Sequence, residues 1–115
     1  MSDASFFVTE RAGDAVIARL RCPVVGEREA GVLGQELASA CEPGKGFVLD
    51  LSHVTMVSSI GLSMFITLYN QSKASKSKMV MFALSKDLRS LMKVTKLDKL
   101  LTIVADEATA LRKAT

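Results

Sequence analysis

Two adjacent hydroxyls, Ser58 and Ser59, stand near the end of the run Phe47-Val48-Leu49-Asp50-Leu51-Ser52-His53-Val54-Thr55-Met56-Val57-Ser58-Ser59-Ile60-Gly61-Leu62. The run passes from a short apolar segment, through a polar loop, to the start of an amphipathic one. A serine placed there presents its hydroxyl at the positive end of a helix, where unpaired N–H groups and aligned peptide dipoles favour an anion. Two chemistries suit the position. The oxygen can cap the helix by accepting an orphan N–H, or the hydroxyl can carry a phosphate. Spacing alone leaves both open.

Other chemistries find little support. His53 is the only histidine and sits between a strand and the serine loop. Nucleophilic catalysis would need a third orienting group and an oxyanion site beside a Ser–His pair, and neither can be named, so His53 reads as a solvent-facing loop residue. The chain carries no Walker-type glycine loop, no GxGxxG and no paired carboxylates in a plausible site. Cys22 and Cys41 are isolated, with no CxxC and no histidine cluster, and read as reduced structural thiols. We expect neither an enzyme nor a bound metal or cofactor.

The elements that must position the serines follow from periodicity. Phe6 to Thr9 and Ala15 to Leu20 read as strands joined at Gly13-Asp14, a hairpin signal. Pro23 breaks the extended chain. From Glu27 to Cys41, Ala30, Leu33, Leu37 and Ala40 recur at helical intervals despite Gly31 and Gly34. Pro43-Gly44-Lys45-Gly46 closes that helix. Phe47 to Leu51 and Lys78 to Phe82 read as buried strands, with a helix to about Ala74 between them. Ser85 caps a helix with Leu88, Leu91, Met92 and Thr95 inward. Leu100 to Val104 is a last strand, and Asp106 opens a terminal helix with Ala110 and Leu111 inward. Such alternation requires crossovers. The expected fold is α/β: one domain over residues 1–115, a mixed, mostly parallel sheet of about five strands packed with about four helices.

Within the helix after Ser59, the pattern predicts a core stripe of Leu62, Phe65, Ile66 and Tyr69. Met64 and Leu68 are neighbours four apart and fall off that stripe. They could pack under an adjacent helix, or form an exposed apolar pair beside the serine, suited to the centre of an interface.

Length and composition agree with one small domain. The chain has 115 residues, 49% of them hydrophobic, enough for a packed core. No apolar run approaches the roughly 20 residues needed to span a bilayer, so no membrane insertion is expected. Met1-Ser2-Asp3-Ala4-Ser5 lacks the basic and apolar regions of a leader, which points to the cytoplasm. Net charge is +3, unevenly spread. Through Val57 five basic residues face eight acidic ones; from Ser58 onward ten face four, giving −3 and +6. Aromatic content of 5% without Trp offers poor stacking platforms, so an acidic protein partner is preferred to direct nucleic-acid binding.

Asp50-Leu51-Ser52, Val54 and Ser59-Ile60-Gly61-Leu62, followed by an apolar helix, resemble the signature of the STAS domain, the anti-sigma factor antagonist family. The resemblance continues through Lys78-Met79-Val80-Met81-Phe82, Leu97-Asp98-Lys99-Leu100 and Ala108-Thr109-Ala110-Leu111. It implies a phosphorylation-controlled binding switch with Ser59 as the modified residue and Ser58 as rival target. Partner contacts are then expected at Ser58, Ser59, Ile60, Gly61, Met64 and Leu68. The implied partner is an anti-sigma factor with a histidine-kinase-like ATPase fold, acting as serine kinase and binding target, with a phosphatase as a possible counterpart. ATP would be the kinase's substrate and no cofactor of this chain. Two departures remove negative charge. Ser58 stands where the family usually has Asp, and Val25 and Gly26 lie where an acidic residue is common. The alternative is a non-switching STAS subunit of a larger assembly, such as a lipid-transport ABC complex or a stress-sensing scaffold.

Overall fold

Residues 7–20 fold back on themselves because Gly13, at φ 62, supplies the left-handed turn that a side chain would resist. In the computed structural model, which describes residues 6–114, this makes an antiparallel hairpin of β1 (Phe7–Ala12) and β2 (Ala15–Leu20), paired from Phe7↔Leu20 to Ala12↔Ala15. β1 runs to Ala12, three residues beyond the expected Thr9. The reading of Met1 to Ser5 lies outside the described residues.

The remaining elements are β3 (Val24–Val25), α1 (Glu27–Ala40), β4 (Gly46–Asp50), β5 (Met56–Val57), α2 (Ser59–Ala74), β6 (Lys78–Phe82), α3 (Lys86–Val94), a 3-10 turn (Leu97–Lys99), β7 (Thr102–Val104) and α4 (Glu107–Ala114). The main sheet has the order β1-β2-β4-β6-β7, parallel except for the hairpin. This is the expected mixed, mostly parallel sheet of five strands with four helices. A second ladder pairs β3 with β5 in parallel, Val24↔Met56 and Val25↔Val57. The sequence reading did not anticipate it, since two residues are too few to show a period of two.

Alternation along β4 sorts the helices onto the two faces. Phe47 and Leu49 join Leu33, Leu37, Phe65, Leu88 and Met92 in the larger core under α1, α2 and α3. Val48 joins Ile17, Val80, Ala110 and Ala114 under α4. Gly46 is required at that second face, because a Cβ there would come within 2.6 Å of the Ala114 carbonyl oxygen.

Differences at element ends have local causes. Lys96 takes φ 62, and the chain turns through the 3-10 segment, so the last strand begins at Thr102 rather than Leu100. Thr95 is exposed and not inward: its hydroxyl donates to the Leu91 carbonyl at 2.7 Å and closes α3. Cys22 is buried and Cys41 half-buried, both free thiols, and burial raises the Cys22 pKa.

Candidate functional site

α2 begins where the polar loop meets the small ladder. Ser58 is its N-cap: the hydroxyl accepts from the Gly61 N–H at 3.2 Å, and the carbonyl accepts from Leu62 at 2.9 Å. The Ser58 N–H donates to the Val25 carbonyl at 2.9 Å, tying the helix start to β3. Ser59 is the first helical residue and is exposed. Of the first-turn donors, those of Ser59 and Ile60 keep no partner among the described residues. No acidic residue lies in that turn, although α1, α3 and α4 each have one or more. The two serines are therefore different: Ser58 is a satisfied cap, and Ser59 is a free hydroxyl on an uncompensated helix dipole.

Three contacts fix this corner. Gly61 lies so close to the ladder that a Cβ would stand 2.6 Å from the Val25 carbonyl oxygen and 2.7 Å from Val57 Cγ1. The Pro23 carbonyl accepts from the Thr55 N–H at 2.8 Å and the Thr55 hydroxyl at 3.0 Å, holding the loop over β3. Asp50, at the end of β4, accepts from the Ser52 N–H at 2.9 Å and from Arg19 at 2.9 Å. Burial would raise the Asp50 carboxyl, but the Ser52 N–H and the guanidinium outweigh it and hold the pKa below its ordinary value. Arg19 also pairs with Glu10 and Glu107, whose hydrogen bonds raise its pKa further.

His53 is exposed, and its Nδ1 lies 3.2 Å from the Ser52 hydroxyl, with no bond to Ser58 or Ser59. Among the described residues, no three His, Cys, Asp or Glu side chains are grouped to hold a metal, and no helix is long and apolar enough to cross a membrane.

The sequence model of the STAS domain matches residues 7–110. The chain belongs to the STAS domain family. Solved structures agree on the fold. An anti-sigma factor antagonist from Mycobacterium paratuberculosis superposes with TM-score 0.81 at 20% identity, over 94% of this chain and 92% of that one. The Bacillus cell fate determinant SpoIIAA, in its phosphorylated form, gives 0.67 at 13%, over 95% and 99%. The murine Solute Carrier 26 family member A9 anion transporter gives 0.79 at 10%, over 91% of this chain but only 18% of the transporter. A search of curated protein sequences finds no match.

The surroundings of Ser59 correct one expectation. Met64 and Leu68 are not an exposed pair: they are 9% and 2% exposed and face α1, with Met64 Cγ 3.0 Å from where a Gly34 Cβ would stand. The buried face of α2 is Gly61, Met64, Phe65, Leu68 and Ser72, so the partner contact expected at Gly61 is corrected too, while Leu62, Ile66 and Tyr69 are half-buried flanks. At 100° per residue this face is turned by about 100° from the expected stripe. Glycine and serine within the buried face hid it, because the sheet and α1 both pack on this helix.

The exposed apolar surface beside Ser59 lies elsewhere. Met56 is 61% exposed, Ile60 47% and Val24 41%. Val24 and Met56 are register partners on the outer side of the ladder, and Ile60 follows Ser59 on α2. Of these three the sequence pointed only to Ile60. A faint signal for the others was the pair of dipeptides Val24-Val25 and Met56-Val57, each with one member buried. Where the family often has an acid, Glu29 reaches back instead: its Oε1 accepts from the Gly26 N–H at 3.0 Å.

Proposed function

We propose that this STAS domain is an anti-sigma factor antagonist, a protein-binding switch thrown by phosphorylation of Ser59. The observation that carries the reading is the division of labour at α2: Ser58 caps the helix, leaving the Ser59 hydroxyl exposed at its positive end. The likeness to anti-sigma factor antagonists, among them SpoIIAA, solved in both unphosphorylated and phosphorylated form, supports it. The partner is an anti-sigma factor with a histidine-kinase-like ATPase fold. It docks on Ser58, Ser59 and Ile60 with Met56 and Val24 adding apolar area, and it transfers the γ-phosphoryl of ATP to Ser59. A phosphatase resets the switch, and the partners meet in the cytoplasm. Sequestering the anti-sigma factor frees a sigma factor, so control of transcription needs no contact of this chain with DNA.

Phosphate adds about −1.5 to −2 charges at the interface. Burying that charge against a surface shaped for a neutral hydroxyl costs several kcal/mol, enough for release. With Ser58 in place of Asp, the unmodified site carries no charge of its own, so the contrast between the two states is larger.

The test is incubation with the cognate anti-sigma factor and ATP, read by tandem mass spectrometry and by size-exclusion of the complex. One phosphoryl group on Ser59, absent in Ser59→Ala, and dissociation of the complex are expected. A label kept in Ser59→Ala but lost in Ser58→Ala would move the site by one residue. The likeness to a part of an anion transporter favours one second reading, a constitutive subunit of a larger assembly. No label with an active kinase, together with capture of transporter subunits from the host, would select it.

A further inference from the structure

Five cations crowd the segment from α3 to the 3-10 turn: Lys86, Arg89, Lys93, Lys96 and Lys99. None of them forms an ion pair among the described residues, whereas Arg11, Arg19 and Lys45 supply every pair that does form there. Asp87 and Asp98 are the acids within the segment. Lys86, Arg89 and Lys93, spaced at i, i+3 and i+7, stand on one exposed stripe opposite buried Leu88. Together with Met92, Asp98 and Ile103 they line a cleft of about 510 Å³ between α3 and residues 97–103.

We propose that this cleft is a second docking site, which takes an extended acidic segment of a protein partner. Carboxylates of the segment meet Lys86, Arg89 and Lys93, and one apolar side chain between them rests on half-buried Ile103. Unpaired charges of one sign around a concavity concentrate a field that draws anions in, and the planar arginine fork suits a carboxylate. The concavity and apolar floor favour a chain bearing side chains over a flat bilayer, which would touch only the rim. Nucleic acid would find no aromatic ring among the lining residues to stack on and would meet Asp98. Ser59 is not part of the lining, so the site is independent of the switch proposed above and does not rest on it.

The probe is a fluorescently labelled oligoglutamate peptide with one central leucine, titrated with the full chain and read by anisotropy. Binding should weaken as salt rises. Arg89→Glu and Lys93→Glu should each weaken it about tenfold, and Asp98→Asn should strengthen it. Lys113→Glu changes net charge equally but lies on α4, across the sheet, and should leave affinity unchanged. Glycine in place of the peptide's leucine should weaken binding, and Ser59→Glu should not. Thermal melts check that these exposed substitutions leave the fold intact. Equal weakening by Lys113→Glu would reduce the effect to net charge and overturn the proposal, as would no binding at all. Tighter binding to phosphatidylserine vesicles or duplex DNA in the same buffer would assign the cleft to lipid or nucleic acid instead.

Discussion

α2 and α3 start in the same way and differ in what surrounds the start. Each follows a parallel strand, half-exposed β5 for α2 and buried β6 for α3, and each has a serine N-cap in extended backbone: Ser58 at φ −78, ψ 172 and Ser85 at φ −64, ψ 164. Each hydroxyl accepts from the N–H three residues on at 3.2 Å. Beyond the cap they diverge. α3 continues with Lys86 and Asp87, so its dipole is already met by a carboxylate. α2 continues with an exposed second hydroxyl, no acid in its first turn, and the apolar surface of Val24, Met56 and Ile60 alongside. A serine cap is thus a general device, and the candidate switch lies in the additions to it.

The largest effect should separate the two kinds of apolar residue near Ser59. Met64→Asp puts a charge between α1 and α2 without a partner and should cost about 4 kcal/mol or more, unfolding much of the population. Met56→Asp and Ile60→Asp fall on exposed positions and should change stability by only about 0.5 kcal/mol. They should weaken partner binding by about 2 kcal/mol, the scale of an interface hot spot. Thermal melts and titration calorimetry on the three variants test this. If Met56→Asp and Ile60→Asp bind normally, the surface beside α2 is as inert as that beside α3, and the contrast between the helices fails.

Gly61 marks the second difference, since α3 has Leu88 at the equivalent third position. Gly61→Ala would drive a methyl group into the Val25 carbonyl and Val57, and should cost about 1–3 kcal/mol as an overpacked contact. The same change should lower partner affinity, because the β3–β5 ladder and Ser59 shift relative to one another. Denaturant melts give the first quantity and a binding isotherm the second. A neutral result would show the corner to be pliable.

A third difference lies in the loop. Asp50 pins the chain ahead of α2 through Ser52 and Arg19, and among the described residues no carboxylate does so ahead of α3. The Asp50 pKa is lowered in the folded protein, so the unfolded chain takes up its proton first as pH falls. Its stabilisation is therefore complete above the ordinary carboxylate range and is lost as pH drops through the folded value. Melting temperature against pH should fall less steeply in Asp50→Asn than in the parent over that acidic window. Some slope should remain, because hydrogen bonds from Arg19 to Glu10 and from Thr109 to Asp106 hold those carboxyls low as well.

Legibility in the sequence followed length and pattern. The pattern places β6 at its true ends, as a short apolar run after a polar connection, and α1 to within one residue, through helical intervals and clear punctuation. The cap at Ser85 was legible from residue type and position. At Ser58 and Ser59 the same rule left two candidates, since only the backbone shows which serine is extended and which is helical. On α2 the largest apolar residues do not mark the core face: a helix that touches both sheet and helix buries a wide arc, and here Gly61 and Ser72 lie within it. The β3–β5 ladder was invisible because its pairing joins residues 32 apart through two-residue segments.

The smallest effect gives the cleanest comparison, because it makes one change in two matching places. Ser58→Ala and Ser85→Ala each remove an oxygen that satisfies one first-turn N–H, and each should cost about 1 kcal/mol of stability. Their consequences for binding should part company. Ser85→Ala should leave partner affinity and the rate of Ser59 phosphorylation unchanged, its helix start lying outside the switch. Ser58→Ala should loosen the turn that presents Ser59 and reduce both, at a stability cost matching that of Ser85→Ala. Ser58→Asp should restore the cap and bring a carboxylate next to Ser59. If binding needs a neutral helix start, affinity in Ser58→Asp should fall below that of the parent even though stability recovers. Equal behaviour of the Ser58 and Ser85 variants in binding and phosphorylation, at equal stability, would mean that α2 holds nothing that α3 lacks.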